Sequence, residues 1–418
     1  MTALTARRRR FALLSLALGG FAIGSTEFVA MGLLPNIAHD LLPQLYGQSV
    51  EQATAHAGWL VSAYALGVVV GAPTIAATTS HVPRKKLLLI LLVAFVVATL
   101  ASAVLPNFHL VLIARFAAGL PHGAYFGIAS LAAASIMGPG NRGKGVAFVL
   151  GGLTVANIVG VPAITALGQV AGWRVAYLAV AGLFALTFLA VAAALPHQAA
   201  DEGASIRREL QAFRRPQVWL MMGVGAIGFG GFFAVYSYVS TAVTIGAGLS
   251  ESIVPLVLVG VGIGMTIGNV IGGWASDKSI RRTLVVGFVA LIGSLVGYAL
   301  TADTIYGIFA FAFLLGLSSS VINPAIQSRL MEVAGESRVI AAALNHSAFN
   351  LGNSLGAYLG GAVIAAGLGV AAPAWVGVVL ALLGVILTVV SFTVERRSTR
   401  RASLEAAGLT AGSSRVSA

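Results

Sequence analysis

Residues 7–37 read RRRRFALLSLALGGFAIGSTEFVAMGLLPNI. Four arginines lead into a long apolar run that carries one charge, Glu27. A helix needs ~20 apolar residues to cross ~30 Å of hydrocarbon, and this run supplies them. Its basic start imitates a secretory leader, but the apolar core of a leader stops after about 7–15 residues. The stretch therefore reads as a first membrane span.

The rest of the chain repeats the pattern. Of 418 residues, 58% are apolar and 9% are charged. A soluble domain carries roughly 25% charged residues, so this chain cannot coat a water-facing surface of its size. Its apolar residues fall into twelve blocks: 11–37, 57–79, 87–105, 110–136, 145–170, 175–195, 218–243, 253–276, 283–301, 305–327, 339–366 and 373–394. The expected fold is all-α and polytopic. Cysteine is absent, which excludes disulfides, iron–sulfur clusters and thiolate zinc sites. No metal-ligand cluster or Ser/His/Asp grouping is evident, so neither an enzyme nor a cofactor is expected.

The connections alternate in charge. One set holds Arg7 to Arg10, Arg84/Lys85/Lys86, Arg142/Lys144, Arg207/Arg208/Arg214/Arg215, Lys278/Arg281/Arg282, Arg329/Arg338 and Arg396/Arg397/Arg400/Arg401/Arg415, which is 23 of the 25 basic residues. The other set holds Asp40, Glu51, Glu251 and Asp303, with Arg174 as its one cation. Positive loops stay in the cytoplasm. Both termini and the central loop 196–217 are therefore expected there, in an inner (plasma) membrane. The net charge of +12 serves topology and contact with anionic lipid rather than nucleic acid.

The halves echo each other. AATTSHVPR (76–84) matches GWASDKSIR (273–281) at an offset of 197, and ANIVGVP (156–162) matches GNSLGAY (352–358) at 196. The expected organisation is a basic N-terminus 1–10, a six-helix bundle 11–195, a cytoplasmic linker 196–217, a second bundle 218–394 and a polar, disordered tail 395–418. Parallel repeats with a midplane site fit alternating access.

Across about 11–394 the chain resembles the major facilitator superfamily. Within that family it is similar to the twelve-helix drug–proton antiporter branch, in the cluster holding sugar-efflux and chloramphenicol-efflux proteins. The carrying stretches are GSTEFVAMGLLPNIA (24–38), RFAAGLPHGAYFG (115–127), GLTVANIVGVPAITALGQVAGWR (152–174), GGWASDKSIRR (272–282) and LNHSAFNLGNSLGAYLGG (344–361). The resemblance implies proton-coupled efflux of a small organic molecule by a monomer whose partners are substrate, protons and lipid. Amphenicol-like drugs, sugars and nucleosides are the implied candidates. A proton-independent facilitator is the alternative, and a non-transporting membrane sensor the remote one.

Two charges fall deep inside spans, Glu27 in the first and Arg115 in the fourth. A charge at a helix centre costs ~2.5–3.5 kcal/mol on insertion scales, and such residues mark ion or proton pathways. Dehydration favours a neutral carboxyl and a nearby cation favours a charged one, so alternating access to water can load and unload Glu27. Glu27 is the expected proton carrier, with Arg115 biasing release; a purely structural Glu–Arg pair is the alternative. Arg115 also matches the R-x-x-x-G motif of the family's fourth helix, and His122 is a further candidate for proton handling. About 100 mV adds ~2.3 kcal/mol per charge. With ~1.4 kcal/mol per pH unit, one proton sustains roughly a 500-fold gradient of a neutral substrate.

Glycines recur at Gly260, Gly264, Gly268 and Gly272, and at Gly352, Gly356 and Gly360. Small residues at this spacing let helices approach closely, and a smooth face also lets them shift. GVGAIG (223–228) matches a nucleotide-binding pattern but lies inside an apolar span, where packing explains it. In the fifth span Gly152, Gly160, Pro162 and Gly168 resemble the family's antiporter signature, which implies a seal against proton leak; a helix bend is the alternative. Gly273, Asp277, Lys278, Arg281 and Arg282 match the family's loop motif. By that analogy Asp277 docks on the positive N-terminus of the fifth span. The first-half copy ends at Arg84 but has Ala76 for its glycine and Ser80 for its carboxylate.

Isolated polar residues inside spans are Tyr64, His122, Tyr125, Asn157, Tyr236, Tyr238, Asn269, Asn323, His346, Asn350 and Asn353. Interhelical hydrogen bonds account for any one of them. His346, Asn350 and Asn353 share one helix face, which suits a cavity wall. Such a lining suits a neutral or singly cationic, partly apolar substrate.

Overall fold

The computed structural model describes residues 5–79, 82–138, 140–197, 210–335 and 338–413. Ser80, Arg207, Arg208, Arg415 and most of the linker 196–217 lie outside the described residues. Among the described residues all regular structure is helical. Ten helical stretches are long and apolar enough to cross a membrane: Ala6–Gly32, Val50–Ile75, Arg84–Val104, Phe108–Met137, Arg142–Ala171, Trp173–Ala194, Pro216–Gly246, Glu251–Thr301, Ile305–Ala334 and Ala372–Arg397. The helix Val254–Thr301 is two spans, because Ser279 leaves helical geometry at its middle (φ −166°, ψ 103°). Arg338–Ala365, 28 residues long, is the remaining span; its polar face lowers its mean hydropathy. Twelve crossings in two six-helix sets result, with both described chain ends on one face. That face is called terminal below, and the opposite one the cap face.

Local chemistry sets the ends of the spans. Asn107 accepts from the Leu110 backbone N–H at 3.0 Å and starts the fourth span. Thr304 does the same for the tenth through Gly307, also at 3.0 Å. These side chains satisfy donors that a helix N-terminus leaves open. Gly172, at φ +95°, makes the tight turn between the fifth and sixth spans.

Glycine contacts display the internal repeat. A Cβ on Gly67, Gly71 or Gly119 would strike the backbone carbonyls of Phe116, Leu120 and Tyr64, where the second and fourth spans meet. Gly264, Gly268 and Gly316 stand in the same relation to Phe313, Leu317 and Val261, where the eighth and tenth meet. Every residue of the second set lies 197 positions after its counterpart. Gly272 continues the row against Val321, but Gly260 faces open space and is no part of it. Gly352, Gly356 and Gly360 seat the eleventh span on the seventh, at the carbonyls of Ala226, Gly230 and Ala234. Both rows pack helices within the second half.

Three expectations are corrected here. The twelfth helix does not end in a disordered tail at 395, since helix Ala372–Ser413 continues past it. The connection 38–56 between the first two expected spans is not an open loop: three short helices, Leu34–Leu41, Pro43–Gln48 and Val50–Ala57, occupy it and its flanks. Arg329, assigned to a basic loop, lies inside the tenth helix and is 2% exposed. It bonds to Glu332 at 2.8 Å and Glu395 at 2.7 Å, and its guanidinium lies over Phe392.

The short helices form a cap that ties the halves together. Leu34, Ala38, Ala53, Ala55 and Ala57 share one apolar cluster with Tyr236, Tyr238, Val239 and Val243 of the seventh span. Among the described residues six hydrogen bonds join the halves. Five lie toward the cap face. Ser62 donates to the Ser354 carbonyl at 3.1 Å, Ser240 to the Met31 carbonyl at 2.9 Å and Tyr238 to the Ala55 carbonyl at 3.5 Å. Gln169 donates to the Glu251 carbonyl at 2.8 Å and Asn36 to its carboxylate at 3.4 Å. The sixth, from Asn353 to Glu27, lies deeper.

Candidate functional site

Glu27 sits five residues before the end of the first helix, Ala6–Gly32, on its cap-side half. Its side chain is 6% exposed. Asn353, on the eleventh span, donates from Nδ2 to Glu27 Oε1 at 3.5 Å. The buried carboxyl therefore belongs to the first half and is held by a residue of the second, which places it at the seam between them. Arg115, Tyr64 and Tyr236 are within its electrostatic reach from the fourth, second and seventh spans.

Arg115 is fully buried, yet no ion pair within 4 Å joins it to Glu27, contrary to the structural-pair alternative. Its guanidinium donates to Thr26 Oγ1 at 3.3 Å and to the Thr26 carbonyl at 3.1 Å. It also lies over the rings of Tyr64, at 4.3 Å, and Tyr177, at 5.3 Å. The faces of the two rings and the Thr26 oxygens thus receive the guanidinium where a carboxylate partner would otherwise stand. The field of Arg115 reaches Glu27 across the intervening Thr26 backbone.

A polar path leaves this point toward the middle of the fourth helix. Tyr64 Oη lies 3.1 Å from His122 Nδ1. The His122 ring is 6.1 Å from that of His346, which stacks on Phe126 with a 3° interplanar angle. His346 comes from the eleventh span and Phe126 from the fourth, so the rings also meet across the seam. Asn350 donates to the His346 carbonyl at 3.1 Å. The Oδ1 atoms of Asn157, Asn350 and Asn353 are buried and accept no hydrogen bond from the protein.

Other candidates stand elsewhere. Tyr125 is not a cavity residue: its ring packs with Phe95 and Phe184 inside the first half, and its hydroxyl donates to the Leu16 carbonyl at 3.0 Å. Tyr238 closes the cap face instead of lining a cavity, since its hydroxyl donates to the Ala357 carbonyl at 2.7 Å. Asn269 and Asn323 are half-buried and make no hydrogen bond to this network among the described residues. Tyr236 packs its ring edge against Phe28 at 5.6 Å, beside Glu27.

The gating candidates separate in the same way. Gly152 meets the Ala17 carbonyl and Gly160 meets Ser25 and Phe21, so both seat the fifth span on the first. Asn157 lies in a π-turn, Ala156–Gly160, and Pro162 opens the helix that follows. Asp277 is exposed and makes no hydrogen bond or ion pair among the described residues, so its expected docking on the fifth span is not made here. Arg281 and Arg282 are exposed beside it, Gly273 has open space around it, and Lys278 lies over the Trp274 ring at 3.6 Å. Arg84 begins the third span.

Sequence reading passed over Thr26 and Tyr177, which hold Arg115. It also gave no reason for Arg174 among acidic loops. Arg174 pairs with Asp40 at 3.1 Å, and Trp173 donates to the same carboxylate at 3.0 Å. These residues border an open cap-face cavity of about 740 Å³, which Glu251 joins from the other half.

Twelve helices in two repeated halves, with a buried carboxyl at the seam, define a membrane transporter. The model of the Major Facilitator Superfamily matches residues 16–305 and 243–415, and the chain belongs to that family. The inner membrane transport protein YdhP of Escherichia coli (strain K12) is 36% identical over 381 residues, which cover 91% of this chain and 96% of that one. A chloramphenicol resistance protein of Streptomyces lividans is 30% identical over 364 residues, covering 86% and 91% respectively. The crystal structure of a D-xylose–proton symporter superposes with a TM-score of 0.73 at 17% identity, over 91% of this chain and 97% of that one. The protein is thus a multi-pass inner-membrane transporter.

Proposed function

We propose that this transporter exports a small organic molecule in exchange for protons. In this reading the terminal face is cytoplasmic and the cap face exterior, because the basic residues of the sequence concentrate at the termini and the terminal-side connections while the cap-side connections carry the acidic ones. One observation carries the reading: Glu27, 6% exposed, lies between the halves within the field of Arg115. An ionisable group kept out of water at a moving interface changes its proton affinity as each side opens. A transporter that only equilibrates its substrate has no use for such a group.

In this reading the structure represents a state closed to the exterior, sealed by the cap helices, Tyr238 and Ser240. Substrate enters from the terminal face and meets His346, Asn350, Tyr236 and Asn157. His122 passes the proton on from Tyr64 toward the cytoplasm. The aromatic and amide lining favours a neutral or singly cationic, partly apolar molecule, in keeping with the chloramphenicol resistance protein among its relatives. The test is substrate-driven alkalinisation of acid-loaded everted vesicles across a panel of amphenicols, sugars and nucleosides. A substrate that dissipates the pH gradient with wild-type protein and not with Glu27→Gln supports the reading. Equal dissipation by both removes Glu27 from the coupling step.

A further inference from the structure

Asn353 is 1% exposed and uses one of its two polar atoms. Nδ2 donates to Glu27 Oε1, while Oδ1, equally buried, accepts nothing from the protein. An ionised carboxylate has only acceptors and leaves Oδ1 facing negative charge. A neutral carboxyl has an O–H to give. Its proton on Oε2 can donate to Asn353 Oδ1 while Nδ2 donates to Oε1, closing a ring of two hydrogen bonds. The opposite amide orientation would put Oδ1 against Oε1, where the carboxyl proton is needed all the more.

We infer that Asn353 reads the protonation state of Glu27, joining the two halves by a carboxyl–carboxamide pair when Glu27 is neutral and releasing them when it is charged. This rests on the proposed role of Glu27 as proton carrier and adds the device that converts the proton into movement. Asn353 is a positioning residue: it takes no proton itself. Its place on the eleventh span suits it to the task, because that helix also carries Ser354, which accepts from Ser62 through its carbonyl, and Ala357, which holds Tyr238. Loss of the pair loosens the helix that supports the exterior seal. The other titratable or charged groups facing Glu27 are Arg115 on the fourth span, Tyr64 on the second and Tyr236 on the seventh. Tyr177 of the sixth span lies behind Arg115, and His122 behind Tyr64. Arg115 favours the charged form of Glu27 and so opposes the pair; the tyrosine hydroxyls change charge only far above neutral pH.

The chain has no cysteine, so spin labels can be placed without background. Gly47→Cys on the cap and Asp303→Cys on the second half are exposed sites on opposite halves of the cap face. Full-length protein in lipid nanodiscs is read by double electron–electron resonance from pH 5.5 to 9. In wild type the short-distance, closed population falls as pH rises, by at most about tenfold in the closed-to-open ratio per pH unit for one linked proton. Glu27→Gln keeps the ring with its own amide, so its closed-to-open ratio is the same at every pH. Asn353→Leu flattens the response to less than about twofold over the range, since no pair distinguishes the two forms of Glu27. Asn353→Asp shares one proton with Glu27 between two carboxyls and moves the opening to higher pH. A wild-type response in Asn353→Leu overturns the inference, as does opening of Glu27→Gln at high pH; if the leucine variant fails to fold, the direction of the aspartate shift decides. Lost vesicle coupling in Glu27→Gln together with an unchanged response in Asn353→Leu refutes the pair alone. Retained coupling in Glu27→Gln refutes the carrier beneath it.

Discussion

Ser240→Ala tests whether the contacts described on the cap face hold it shut. Ser240 is 2% exposed, and its hydroxyl donates to the Met31 carbonyl across the seam at 2.9 Å. Met31 lies in the last turn of the first helix, where carbonyls have no partner inside the helix. Alanine removes one hydroxyl and leaves that carbonyl buried and unpaired. Such a loss costs about 1–3 kcal/mol in a buried setting. When the face opens, water solvates both groups, so the loss falls on the closed state alone. At about 1.4 kcal/mol per factor of ten, the open-to-closed ratio rises about 5- to 150-fold. Ala55→Cys is a suitable reporter, since Ala55 is 3% exposed in the cap and its carbonyl accepts from Tyr238. Alkylation by an impermeant maleimide then follows the open population when opening is fast relative to reaction. A rate increase of at least about fivefold over Ala55→Cys alone is expected, from the lower bound of that range. An increase below about twofold would refute the reasoning, because it would mean that the interhalf bond does not differ between states.

Four further outcomes are expected. Arg115→Lys keeps the charge but loses the fork on Thr26 and the stacking on Tyr64 and Tyr177; transport falls by at least about tenfold while size-exclusion profile and expression persist. Gly268→Val drives a side chain into the Leu317 carbonyl and destabilises by about 1–3 kcal/mol, seen as a lower Tm in a thermal-shift assay. Gly260→Ala, with open space around it, leaves Tm unchanged or slightly raised. Asp277→Asn, exposed and without a hydrogen bond or ion pair among the described residues, changes stability by less than about 0.5 kcal/mol, so Tm stays near that of wild type in the same assay. If it shifts the conformational balance, it does so through the state in which the terminal face closes.

The membrane architecture was legible because hydrocarbon imposes long apolar blocks and the loops alternate in charge. Glu27 and Arg115 stood out for the same reason, as lone charges in apolar runs. Their surroundings were not legible. Periodicity along one helix does not tell that Thr26, Tyr64 and Tyr177, from three different spans, converge on Arg115. Tyr125 and Tyr238 looked like Tyr64 and Tyr236 in the sequence; what separates them is a carbonyl close enough to take the hydroxyl, at Leu16 and Ala357. The cap escaped notice because its helices are 6 to 8 residues long, too short to carry several turns of helical periodicity. Arg329 misled by its company: three residues from Glu332 it read as a solvated loop charge, while Glu395 is remote in sequence and completes its neutralisation. The 197-residue repeat was faint in the identities of residues and plain in the glycine contacts, since close backbone approach constrains side-chain size more strictly than lipid exposure does.

In the proposed exchange Glu27 carries the proton without being needed for substrate movement as such. Glu27→Gln and wild type should be reconstituted in proteoliposomes and compared in two modes with one substrate: exchange at equal concentration without a gradient, and uphill accumulation under an imposed pH gradient. The expected result is retained exchange with no accumulation for Glu27→Gln, against both for wild type. Accumulation by Glu27→Gln at the wild-type level would contradict the account.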